Sequence, residues 1–364
     1  MTRQNRRLAS LIGPMVFALI ACGCGGGGGG GGHHHHGGGG SGNNFSCASG
    51  TVYFGDQVGG GDEFGWCVAH NNNSFSFTDL TLNGSPTNGG FAPDATFGNL
   101  LGLTVSASAG TALEMPNTQL LVSPGNLITG VNANNNPVVL ISKQAGFCPP
   151  TGTNYNFVTL PKSGWFTTNP AYGTVSLANG SLSLTVKDIN GNSTGNENDP
   201  YTCDSSTSFL TFTQSSNGRV RTVATSPQGL FVDTAGTGGA GLLQATSNVG
   251  NTIAAGTFLG LIYQPDGANK VQVVGFRPGG CGAPLCGFDP STAGQPSNGM
   301  TLTPGAESTP GLFTGGTFVD TNTDSPFVVV ANTVMVNGTN KVVLYGITFN
   351  STANTAVSVL LLEQ

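Results

Sequence analysis

The chain reads as an all-β protein, and three features of the sequence lead there. No stretch after Cys22 keeps a helical apolar period for a dozen residues without Gly or Pro. Period-two alternation of apolar and hydroxyl side chains recurs along the second half. Asn-Gly dipeptides stand between alternating segments, where tight hairpins want them. Successive local hairpins with one apolar and one hydroxyl-rich face predict an antiparallel, hairpin-rich β-barrel, because closure removes exposed edges. A two-sheet β-sandwich is the alternative.

Taken in order, the chain begins with Arg3, Arg6 and Arg7, followed by a short apolar run over 8–21. That run is shorter than the roughly 20 residues of a membrane-spanning helix and has the layout of an export signal. It ends Leu19-Ile20-Ala21-Cys22. These residues resemble the lipobox of bacterial lipoproteins. The resemblance implies cleavage before Cys22, lipid on its sulfur, and a membrane attachment through that anchor. Gly23 stands where the family's inner-membrane retention signal has aspartate, which implies an outer-membrane location. Residues 1–21 are then the signal peptide. Residues 22–44 are a lipidated cysteine and a tether whose Gly25–32 and Gly37–40 tracts cannot pack a core. A flexible chain of that length spans roughly 25 Å. His33, His34, His35 and His36 interrupt the glycines and read as low-complexity sequence, with weak metal binding as the other reading.

Residues 45–148 form an N-terminal β region, with strands expected at 51–54, 75–82, 100–105, 118–122 and 138–142. Pro149-Pro150 mark a boundary, and 149–364 form a C-terminal antiparallel domain unless the two are continuous. In that second part 175–178 and 181–186 flank Asn179-Gly180, which predicts a type I′ turn. Leu182, Leu184 and Val186 then share a face. Asn217-Gly218 repeats the device between 208–214 and 219–224. Longer turns at 265–267 and 337–340 join 257–263 to 271–276 and 333–336 to 342–347, and 356–362 is the closing strand. Gly229-Leu230-Phe231-Val232-Asp233-Thr234 is echoed by Gly316-Thr317-Phe318-Val319-Asp320-Thr321, either a duplication or two similar strand exits.

Composition narrows the function classes. Only 8% of residues are charged, against roughly 25% in an average globular protein. Net charge is −6, and no Lys or Arg occurs between Cys22 and Ser142. Nucleic acid is therefore excluded as a partner, since binding it requires clustered cations. A protein or glycan partner is left open.

Six cysteines lie in the body: Cys47, Cys67, Cys148, Cys203, Cys281 and Cys286. An even number in an exported chain reads as three disulfides, with 15 possible connectivities. Proximity favours Cys281–Cys286 and Cys47–Cys67, which leaves Cys148–Cys203. A zinc site would have to use Cys67 and His70 and has no second half.

No catalytic residues are assigned. His70 is the body's single histidine, so a Ser-His-Asp triad would need it, and no Gly-x-Ser-x-Gly elbow exists. A carboxylate pair for glycoside cleavage carries no local signature. The segment 188–199 alternates oxygen ligands, and Asp188, Asn190, Asn192 and Asp199 are the candidate set for calcium. Its spacing departs from an EF-hand loop, and a polar hairpin tip explains the same residues. No other cofactor is expected. Trp66, Trp165 and Tyr172 lie near expected loops, as surface anchors or as core. The expected function is a lipid-anchored, non-enzymatic binding or structural module of the envelope. The rivals are a hydrolase with a carboxylate pair and a barrel that carries a small apolar ligand. An interior lined by large aromatics would mark a filled core, and a small-residue lining around a cavity would mark the carrier.

Overall fold

The computed structural model describes residues 47, 50–57, 63–69, 74–79, 87–93, 100–104, 118–131, 137–159, 170–233, 239–264, 271–290, 295–320, 323–350 and 355–364. The signal, Cys22, the tether, His70 and Trp165 lie outside them. The architecture is all-β and antiparallel, as the alternation predicts, and it is built of barrels.

The first barrel comprises β1 (Thr51–Gln57), β2 (Glu63–Ala69), β3 (Ser74–Asp79), β4 (Thr87–Pro93), β5 (Leu100–Thr104), β6 (Thr118–Ser123), β7 (Leu127–Val131) and β8 (Pro137–Ser142). Each strand pairs with the next, and β8 returns to β1. The second barrel comprises β9 (Asn154–Thr159), β10 (Ala171–Ala178), β11 (Ser181–Asp188), β12 (Ser193–Asp204), β13 (Phe209–Thr213), β14 (Val220–Thr225), β15 (Leu230–Asp233) and β16 (Gly239–Leu243), closed by β16 on β9. A short helix, α1 (Gly250–Ala255), leads into the third sheet. That sheet holds β17 (Phe258–Tyr263), β18 (Val271–Pro278), β19 (Leu285–Asp289), β20 (Gln295–Thr303), β21 (Ala306–Thr309), β22 (Leu312–Asp320), β23 (Thr323–Val336), β24 (Thr339–Asn350) and β25 (Thr355–Glu363). Its order is β20-β19-β18-β17-β25-β24-β23-β22-β21, and β20 also pairs with β22. Eight of its nine strands therefore form a ring as well.

Burial on both faces explains the continuous apolar runs. In β23 to β25 alternate residues belong to different cores. Phe327, Val329, Val342, Leu344, Val359 and Leu361 point into the third barrel. Val328, Val330, Val343, Tyr345, Leu360 and Leu362 point outward into a second cluster, shared with Leu127, Val139 and Ile141 of the first barrel and Val158, Leu230, Val232 and Leu242 of the second. A strand buried on both faces cannot alternate with polar residues, and each such side chain contributes roughly 1.5–3 kcal/mol on burial. Side-chain amides satisfy carbonyls at these seams: Asn126 Nδ2 donates to Met335 O at 2.8 Å, Asn156 Nδ2 to Pro310 O at 2.7 Å, and Asn332 Nδ2 to Leu243 O at 2.7 Å.

The cysteines pair as Cys47–Cys67, Cys148–Cys203 and Cys281–Cys286. The second bridge holds the connection after the first barrel onto β12 of the next.

Two local expectations are corrected. Asn179-Gly180 is a two-residue turn, but only Gly180 takes a positive φ, at 71°. Asn337-Gly338, between β23 and β24, is a two-residue turn in which both residues take positive φ, at 50° and 80°. The segment 188–199, expected as a polar hairpin tip or calcium loop, is mostly strand: only 189–192 form the turn, and β12 begins at Ser193. Barrel closure overrides its weak β propensity. Pro200, which has no N–H, falls where β12 stops pairing with β11 and starts pairing with β13 at Tyr201.

Candidate functional site

The interior of the second barrel is built by alternation. Tyr155, Phe157, Leu177, Leu182, Leu210, Phe212, Val223 and Phe231 face inward and pack together. Their strand neighbours Val158, Ala224, Leu230 and Val232 face outward. Tyr155 and Phe231 meet edge to face, with centroids 5.2 Å apart, in the favourable T-shaped arrangement. Cys203, tied to Cys148, packs against this cluster at the end where β12 runs out.

The opposite end is lined differently. Ala171 and Gly239 form part of the wall there, alongside Thr159, Gln214, Arg221 and Asp233. A Cβ on Gly239 would find no atom closer than 3.7 Å, and one on Gly195 none closer than 4.0 Å. Small side chains and open space go together, and the barrel encloses a cavity of about 120 Å³. Among the described residues, the interior of the third barrel holds the fully buried rings of Phe258, Phe276, Phe318 and Phe327.

Charge inside the second barrel is concentrated toward this open end. Arg221 and Asp233 form an ion pair, with side chains 10% and 11% exposed. Glu197 accepts hydrogen bonds from Ser216 Oγ and, at 3.4 Å, from Gln214 Nε2. Asp199 is fully buried, and its Oδ1 accepts the Ser215 N–H at 2.7 Å. Burial pushes the Tyr155 hydroxyl well above its usual range.

The calcium candidates are not gathered in one place. Asp188 Oδ1 accepts the N–H groups of Asn190 and Asn192, each at 2.9 Å, and Oδ2 accepts Asn192 Nδ2 at 2.9 Å. This is an Asx turn that organises the hairpin tip. Asp199 lies well into β12, inside the barrel. No group of three or more His, Cys, Asp or Glu able to hold a metal occurs among the described residues. Trp66 and Tyr172 are core residues, 1% and 4% exposed.

Sequence reasoning missed Arg221 and Asp233. The available signal was the rarity of charge: an arginine and an aspartate in two strands of a chain with 8% charged residues. The misleading feature was local. Val220 is the exposed residue, at 50%, and Arg221 the buried one, so polarity and facing are inverted there.

No family model matches the chain, and no curated protein matches it. Among solved structures, two mutants of the vaccine antigen transferrin binding protein B from Haemophilus parasuis Hp5 align at 10% and 12% identity, with TM-scores of 0.25 and 0.24. Both alignments cover 83% of this chain and 65% of the other. A DnaN sliding clamp from Pseudomonas aeruginosa aligns at 8% identity and a TM-score of 0.14, over 85% of this chain and 90% of its own. The chain thus spans less than two thirds of the length of the transferrin binding protein structures. These scores are too low for a shared fold to be assigned from them.

Proposed function

We propose that this protein is a lipid-anchored, non-enzymatic binding module of the outer membrane, held at Cys22, with the interior of its second barrel as the receptacle for a small ligand. The observation that carries this reading is the cavity inside the second barrel, bordered by apolar side chains and by the small residues Ala171 and Gly239. Eight strands enclose an interior just wide enough to be filled by side chains or to hold one small molecule. A void of about 120 Å³, at about 24 cal/mol per Å³, forgoes roughly 3 kcal/mol of packing. A ligand of matching size restores those contacts.

Among the described residues, the hydrolase alternative has no carboxylate pair placed to act on a ligand in the cavity. Glu197 is held by Ser216 and Gln214 and Asp199 by the Ser215 N–H, and the residues that line the cavity include neither.

The test is calorimetric titration of the full-length protein with benzyl alcohol, compared with a Leu184→Trp variant in which the indole occupies the cavity. Binding in the wild type and its loss in the variant are expected. Saturable binding that survives Leu184→Trp would place the site elsewhere. In parallel, Cys22→Ser should lose the acyl mass and leave the membrane fraction, and retention there without lipid would refute the anchor.

A further inference from the structure

We infer that the second barrel takes an uncharged, apolar molecule about the size of one aromatic ring, and that the Arg221–Asp233 pair excludes ions by neutralising its own end of the cavity. This rests on the reading of that barrel as a receptacle and names the chemistry it takes. The body of the cavity is bordered by hydrocarbon, including Phe157, Leu184, Val186, Phe212 and Phe231. Among the described residues, the polar side chains that border it are Thr159, Gln214, Arg221, Thr225 and Asp233. Each has a partner within the protein. Thr159 Oγ1 donates to Ala171 O at 3.0 Å and accepts the Ala171 N–H at 2.8 Å. Thr225 Oγ1 donates to Ser208 O at 2.8 Å, and Gln214 Nε2 donates to Glu197. Arg221 and Asp233 hold each other.

These bonds decide what the cavity can take. A polar group on a ligand gains a hydrogen bond here only by sharing or displacing one that exists, yet it sheds its water, and burial without a new partner is costly. The limit on charge is stricter. Among the described residues that border the cavity, Arg221 and Asp233 carry the charge, and their pairing leaves that surface without a net charge. Glu197 and Asp199 do not border it. An anion would have to take Arg221 from Asp233, and a cation would have to take Asp233 from Arg221. Either exchange strands a buried ion, since the two side chains are only 10% and 11% exposed. An apolar ring meets neither cost and gains contact with the aromatic wall. One ring is the right size: the cavity measures about 120 Å³, and an engineered apolar cavity of about 150 Å³ binds benzene.

Titrating the full-length protein at neutral pH with toluene, benzyl alcohol, benzoate and benzylamine varies one substituent on one ring. Toluene should bind about tenfold more tightly than benzyl alcohol, the size of one buried hydroxyl without a new partner. Benzoate and benzylamine should bind at least about a hundredfold more weakly than toluene. In Asp233→Asn the Arg221 guanidinium faces the cavity without the carboxylate that neutralises it, so the ratio of benzoate to toluene affinity should rise at least about tenfold. Benzyl alcohol or either ion matching toluene in the wild type would overturn the apolar preference and leave the receptacle standing. An unchanged ratio in Asp233→Asn would overturn the assignment of that preference to the pair. Failure of all four probes to bind would overturn the receptacle itself. The wild-type series decides the ligand class even if the variant does not fold.

Discussion

The ring of Phe231 lies across the backbone of Gly241, its partner on the neighbouring strand of the second barrel. A Cβ at position 241 would overlap that ring edge and come within 2.7 Å of the Asn156 carbonyl oxygen. The same device recurs where Phe157 covers Gly173 and where Phe288 covers Gly275. Each glycine lets an aromatic ring lie against its strand, and at Gly241 and Gly173 this keeps the ring close to the wall of the second barrel. Gly241→Ala should destabilise the protein by about 1–3 kcal/mol, the usual penalty for overpacking. Equilibrium denaturant unfolding checks this, and a variant as stable as the wild type would show that the ring has room to move.

Arg221 and Asp233 make a buried pair, so its members are worth more together than apart. Arg221→Met alone should cost about 3–5 kcal/mol, because Asp233 is left buried without its cation. Adding Asp233→Leu should recover most of that loss. If the double variant were less stable than Arg221→Met, the pair would be contributing more than its desolvation cost. A double-mutant cycle in denaturant distinguishes the two outcomes.

Three tyrosines set the alkaline limit of the fold. Burial pushes the Tyr53 hydroxyl up to about 12, an effect that the Gly125 N–H, donating to it at 2.8 Å, and a hydrogen bond with Thr51 only partly offset. Burial raises Tyr155 and Tyr345 further. A raised folded value means that the neutral form is favoured in the native state. The resulting stability is complete below the unfolded value of about 10 and is lost as pH climbs through the folded values. Tyrosinate absorbance from these three residues should therefore appear together with unfolding, in one cooperative step above pH 10. Gradual ionisation near 10 with near-ultraviolet dichroism intact would contradict the buried assignment.

Much of the architecture was legible because it rests on local patterns. The alternation Leu182, Leu184, Val186 does mark one face, and closely spaced cysteines do pair. What the sequence hid is non-local. The segment 193–200 has the composition of a loop, and only barrel closure makes it a strand. The runs at 327–331 and 359–362 announce two-sided burial but not the neighbour on the far side, so the division of 149–364 into a second barrel and a third sheet was not visible. The cavity borders on small inward positions, and Ala171 and Gly239 come from strands far apart in the sequence. Asp199 was noticed for its oxygen atoms but assigned to a hairpin tip, because its facing depends on the β11–β12 register.

The hollow second barrel is the central claim, and diffraction from crystals pressurised with xenon tests it most directly. Xenon occupies dry apolar cavities of this size. It should appear inside the second barrel among Phe157, Leu184, Phe212 and Phe231, and the aromatic-filled interior of the third barrel should stay empty. A second barrel without xenon, its side chains closed over the axis, would contradict the account.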